Sequence, residues 1–126
     1  MASKDIDDLV PELQKLYWEF SLAMAKKGLT FMVTCTFRSK YEQLELYKQG
    51  RTKPGRKVTW AKNSRHIIGE AFDIAIIKDC QPVYDLKVDV NKDQKLDYEQ
   101  AGKIGEAVGL EWGGSWNDYC HFQLKH

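Results

Sequence analysis

The chain has few cysteines, almost no net charge and no long apolar run. Its three cysteines, Cys35, Cys80 and Cys120, are odd in number and widely spaced. That excludes a disulfide framework, and the lack of any C-x-x-C pair excludes a cysteine-based structural zinc site. The 19 basic and 18 acidic residues leave a formal charge of +1, without the electrostatic footprint of a nucleic-acid binder. No stretch approaches the roughly 18 apolar residues of a membrane span, so membrane insertion is not expected. Met1-Ala-Ser-Lys-Asp-Ile-Asp-Asp lacks the basic-then-apolar layout of a signal peptide. The expectation is synthesis as a reduced cytosolic protein. Internal repeats and low-complexity segments are also missing.

What is there suits one folded unit. At 126 residues, 43% hydrophobic and 12% aromatic, the chain can bury one real core and is too short for two ordinary domains. Residues 7–27 read as an amphipathic helix, with Leu9, Leu13, Leu16, Tyr17, Phe20, Ala23 and Met24 on one face. Asp7 or Asp8 is expected to cap it, Pro11 fits its first turn and Gly28 ends it. Residues 30–37 read as a strand. Ser39 is placed to cap a short helix over 40–48, with Glu42 in its first turn. A long basic loop follows, and residues 71–77 form a nearly all-apolar strand. A brief strand near residues 82–84, a helix over 98–108 stopped by Gly109, and a closing alternating strand over 121–124 complete the set. The order implies an α+β domain spanning residues 1–126, with helices packed on a short antiparallel sheet.

Two segments carry the chemistry. Ser64-Arg65-His66-Ile67-Ile68-Gly69-Glu70-Ala71-Phe72-Asp73 supplies an imidazole and, seven residues on, a carboxylate inside the apolar strand. Asp118-Tyr119-Cys120-His121 supplies a second imidazole and carboxylate. Taken singly, His66 reads as a surface histidine, Asp73 as a buried ion-pair residue and His121 as an ordinary strand histidine. Together, two histidines and one aspartate suit zinc and leave a fourth position for water, with the remaining carboxylate as base. An ionised carboxylate at Asp73 needs a cation opposite it. Cys120, next to His121, should face the other side of its strand and belong to the core.

The pattern Ser64-x-His66-x-x-Gly69-x-Ala71-x-Asp73 with Asp118-x-x-His121-Phe122-Gln123 resembles the zinc D,D-carboxypeptidase and L-alanyl-D-glutamate peptidase family, which includes phage endolysins. The resemblance extends through Phe37-Arg38-Ser39-x-x-x-Gln43, Leu46-Tyr47-x-Gln49-Gly50-Arg51-Thr52-x-Pro54-Gly55 and Gly109-Leu110-Glu111-Trp112-Gly113-Gly114. It implies that His66, Asp73 and His121 hold Zn2+, that Asp118 is the catalytic base, and that Arg38 meets a substrate carboxylate or the developing oxyanion. Ser64 and Gln43 become candidates for supporting or substrate hydrogen bonds. Trp112 becomes a candidate cleft wall, with packing around the last strand as the other reading. Gly69 is expected in a turn only glycine tolerates.

By the same resemblance the substrate is the peptidoglycan stem peptide, cut between L-Ala and D-Glu. A D-Ala-D-Ala carboxypeptidase and a non-catalytic wall-binding module are the competing readings. A monomer without a separate wall-binding domain, made in the host cytoplasm and reaching the wall after release, is the implied setting. The basic residues of 51–62 are either a solvated loop or an attraction to an anionic wall polymer.

A second constellation is Asp89-x-Asn91-x-Asp93-x-Lys95-Leu96-Asp97-x-x-Gln100. Its oxygens fall at positions 1, 3, 5 and 9 of an EF-hand loop, making weak Ca2+ binding a candidate. Gln94 replaces the usual glycine, Gln100 replaces the bidentate glutamate, and the preceding helix is missing.

Overall fold

The computed structural model describes residues 3–57 and 65–125. The first helix, α1 (Pro11–Lys26), starts later than the periodicity suggests. Asp7 and Asp8 belong to a separate 3-10 turn, Ile6–Asp8, capped by the Asp5 side chain. Val10 occupies the N-cap of α1 without a side-chain bond, and Pro11 at the first position needs no hydrogen-bond acceptor. Gly28, φ +71°, ends the helix.

The strand β1 (Phe31–Cys35) is followed by α2 (Lys40–Lys48). Here the expected cap is present. Ser39 Oγ accepts from the Glu42 amide, and Glu42 accepts from the Ser39 amide, closing a capping box. A 3-10 turn, Arg65–Ile68, leads into β2 (Ala71–Lys78), the longest strand. Between them Gly69 has φ +70°, and a Cβ there would lie 2.8 Å from the Asp8 carbonyl. β3 (Gln81–Val83) folds back on β2. α3 (Asp97–Val108), β4 (Leu110–Trp112), a 3-10 turn Gly113–Trp116 and β5 (His121–Leu124) finish the chain.

The strands form one antiparallel sheet in the order β1-β2-β5-β4, with β3 also on β2. Pairing of the last strand with the middle of the sheet makes β2 the hub. On one face, Phe72, Ile74 and Ile76 of β2 and Phe122 and Leu124 of β5 join Leu13, Phe20 and Met24 of α1 and Ala101 of α3 in the core. Phe72 and Phe122 stack at 5.5 Å, and Phe20 closes on Phe122 at 4.8 Å. Cys120 packs against this cluster, as its strand position predicts. The closing strand does not alternate in burial: all four of its residues are buried. Its second face is covered too, by the site. Among the described residues no helix is long and apolar enough to cross a membrane.

Candidate metal centre

The register of the sheet assembles the site. Asp73 on β2 pairs with Cys35 on one side and with His121 on the other. A register irregularity between Val33 and Cys35 brings Cys35 into that row. His66 enters from the turn before β2, fastened by the Arg38 amide donating to its carbonyl at 3.2 Å.

Asp73 Oδ1 stands between two imidazole nitrogens. Asp73 Oδ1 lies 3.2 Å from His66 Nε2 and 3.1 Å from His121 Nδ1, and the imidazoles meet edge-to-face at 5.2 Å. Donors bound at 2.0–2.1 Å around a tetrahedral ion are separated by about 3.3 Å, so the two contacts fit such an ion. His66 is 2% exposed and His121 6%. The electrostatics agree with the geometry. Burial alone would lower the His66 pKa, yet the Asp73 carboxylate, with Cys35, carries it up to about 10. Burial would likewise raise Asp73, but His121 and His66 hold it well below the usual carboxylate range. The pocket favours positive charge between these groups.

Each imidazole is oriented from behind. His66 Nδ1 lies 3.3 Å from the Thr36 carbonyl and 3.7 Å from Cys35 Sγ. A proton on Nδ1, donated to Thr36, leaves the Nε2 lone pair facing Asp73. His121 Nε2 lies 2.8 Å from Gln123 Oε1, and the Gln123 amide in turn donates to Glu111. That leaves His121 Nδ1 toward Asp73.

Cys35, His66 and Asp73 also offer donors within 4.8 Å of one another. Cys35 is thus a candidate third donor beside His66 and Asp73, on the side of Asp73 away from His121. Sequence reasoning missed Cys35, Gln123 and Glu111. Gln123 had a signal, since a residue two beyond a strand ligand shares its face.

Asp118 stands beside the tripod, its carboxylate 3.8 Å from His121 Nδ1 and its side chain 51% exposed. Its amide donates to Gly113, where a Cβ would lie 2.3 Å from the Asp118 carbonyl. Burial and the charge of Asp73 raise its pKa, against the pull of His121 and Arg38.

Arg38 is held without a carboxylate. Its Nη1 donates to Gln43 Oε1 at 2.6 Å, and its Nη2 reaches Cys35 Sγ at 3.5 Å. Gln43 is fully buried, so it positions Arg38 rather than facing solvent. From Cys35 and Arg38 a cleft of about 530 Å³ runs along α2 to Lys53 and Pro54.

Trp112 sits in the scaffold, correcting its candidacy as a cleft wall. Its ring packs against Gly102 and Gly114, and its indole N–H donates to the Tyr119 carbonyl at 2.9 Å. Ser64 and residues 58–63 of the basic loop lie outside the described residues. Of the basic residues that are described, Lys53 pairs with Glu45 and Arg51 stacks on Tyr47 at 3.9 Å.

A tripod of two imidazoles and one carboxylate, set on a sheet beside a second carboxylate and an open cleft, is the layout of a metallopeptidase. Residues 57–124 match the family model described as D-alanyl-D-alanine carboxypeptidase. The chain is 40% identical over 123 residues, 93% of its length, to the peptidoglycan L-alanyl-D-glutamate endopeptidase CwlK of Bacillus subtilis, of which it covers 74%. Its fold is similar to the crystal structure of the L-Ala D-Glu endopeptidase ChiX of Serratia marcescens. The TM-score is 0.72 at 20% identity, over 99% of this chain and 89% of that one. The chain belongs to the D-alanyl-D-alanine carboxypeptidase family of metallopeptidases.

Proposed function

We propose that this chain is a zinc peptidase that hydrolyses the L-Ala–D-Glu bond of peptidoglycan stem peptides, working as a single-domain monomer at the bacterial wall. The observation that carries the reading is Asp73 Oδ1 set 3.2 Å from His66 Nε2 and 3.1 Å from His121 Nδ1 in a chain 40% identical to CwlK. Two nitrogens and one oxygen form a donor set typical of catalytic zinc, and these three residues would hold the ion. When bound, zinc supplies Lewis acidity toward a peptide carbonyl and toward the proton of a water molecule.

The rest falls to the protein. Asp118 takes the proton of the attacking water and delivers it to the departing amine, and burial, by raising its pKa, makes it a stronger base. Arg38, which makes no ion pair among the described residues, offers its guanidinium to a substrate carboxylate or to negative charge growing on the scissile carbonyl. Gln43 fixes the direction of that guanidinium. The Thr36 carbonyl and Gln123 keep the imidazoles in the ligating tautomers.

The test is digestion of intact peptidoglycan followed by mass spectrometry of the products, with and without a chelator. New N-terminal D-Glu on the released peptides, lost on chelation and restored by Zn2+, is expected. A second reading, a D-Ala-D-Ala carboxypeptidase, is favoured by the description of the matching family model. Free D-Ala as the product would establish it instead.

A further inference from the structure

The loop between β3 and α3 takes no part in the tripod, yet it gathers buried oxygen with nothing to bind. Among the described residues, four buried side-chain oxygens lack a hydrogen bond: Thr36 Oγ1, Asn91 Oδ1, Asp97 Oδ1 and Gln100 Oε1. Three of the four lie in this loop and the first turn of α3 that follows it. A buried acceptor left without a partner is destabilising, and more so when it is charged. Asp97 is fully buried and Gln100 is 7% exposed.

The carboxylates of Asp89, Asp93 and Asp97 lie within 4.8 Å of one another. No lysine or arginine among the described residues pairs with any of them. Asp93 is exposed, but Asp97 is buried, and burial first, then the charges of Asp89 and Asp93, raise its pKa.

The loop is also held in one shape. Asp89 accepts from the amides of Asp93 and Gln94, and Asp97 Oδ2 accepts from Val90 at 2.7 Å, which leaves Oδ1 over. The Asn91 amide donates to the Lys27 carbonyl at 2.7 Å, which fixes its oxygen as the remaining atom. Gln94 has φ +69°. It thus adopts the left-handed conformation that the EF-hand pattern reserves for glycine at its sixth position, so the missing glycine has not cost the loop its turn.

We propose that residues 89–100 form a calcium site, with Asp89, Asn91, Asp93, Asp97 and Gln100 as its oxygen donors, separate from the catalytic tripod. Three carboxylates and two amide oxygens on a loop suit Ca2+, which takes six to eight oxygens in flexible geometry, better than Mg2+, which demands a tight octahedron. The neutral Gln100 in place of a bidentate glutamate sets the affinity at the weak end, on the order of 10⁻⁴ to 10⁻³ M. The bound ion clamps the first turn of α3 to the end of α1 through Asn91.

Zinc-reloaded protein is titrated with CaCl2, and separately with MgCl2, by calorimetry and by thermal unfolding. One saturable Ca2+ per chain and a rising Tm are expected. Asp97→Asn should weaken binding on the order of tenfold and Gln100→Glu should tighten it by a similar factor, since each changes one ligand charge. If Asp97→Asn does not fold, Gln100→Glu decides alone. It should lower Tm in the presence of a calcium chelator and raise it above wild type with Ca2+. No saturable uptake at about 10 mM Ca2+, Mg2+ binding as tight as Ca2+, or an affinity unmoved by Gln100→Glu would each overturn the assignment.

Discussion

The two faces of β2 and β5 are withdrawn from water by opposite means. The helix face is withdrawn fully and the cleft face in part, where the Asp73 side chain stays 22% exposed. Toward the helices, Phe72, Ile74, Ile76, Phe122 and Leu124 are buried by contact with more hydrocarbon. Toward the cleft, Asp73, His121 and Gln123 are enclosed only because each polar atom meets another, ending in a place for a cation. The first face tolerates chemical blandness but not lost volume. The second tolerates little change of any kind, since one missing partner leaves a buried polar group exposed to its neighbours' charge. Burial by itself therefore says nothing about role; what each alternate residue touches does.

That contrast can be broken or sharpened experimentally. The largest effect should come from Asp118→Asn, which removes the proposed base and leaves both faces intact. Turnover should fall about 10²- to 10⁴-fold, while metal content, read by elemental analysis, stays at one ion per chain. Loss of the ion in this variant would mean that Asp118 is a ligand and that the tripod is misassigned.

Phe122→Ala attacks the opposite face. It deletes a fully buried ring stacked on Phe72 and should cost about 3–5 kcal/mol of unfolding free energy in denaturant titration. The folded fraction should still bind its metal. Gln123→Leu lies between these two, keeping the volume but cutting the chain from His121 to Glu111. Metal affinity, measured against a competing chelator, should drop about 10- to 100-fold, with a smaller change in stability. Ser39→Ala touches neither face and should cost only about 1 kcal/mol through the lost helix cap. A drop in metal affinity from this last change would show that the two faces are not independent.

Local chemistry was legible in the sequence. The Ser39 and Glu42 pairing, the stop at Gly109 and the odd carboxylate of Asp73 in an apolar run each follow from a few neighbouring residues. Where the reading slipped, a longer-range fact decided. Asp7 and Asp8 looked like caps, but the chain turns before Pro11 to meet Gly69, whose carbonyl accepts from Val10. Residues 121–124 looked half-exposed because nothing local reveals that the strand will lie between β2 and β4. Cys35 was invisible as part of the site for the same reason. Its place beside Asp73 depends on an irregular pairing across 38 residues of sequence, read as 73 − 35 from the register.

The pairing of Asp73 with His121 has a kinetic meaning as well. Strand β5 is the last to be supplied by the chain, and it both closes the gap beside β4 and delivers the final imidazole. A slip of one residue there would turn His121 toward the helices and Phe122 toward the cleft. On the proposed ligand set, docking of β5 in the correct alignment and completion of the metal centre are thus a single event.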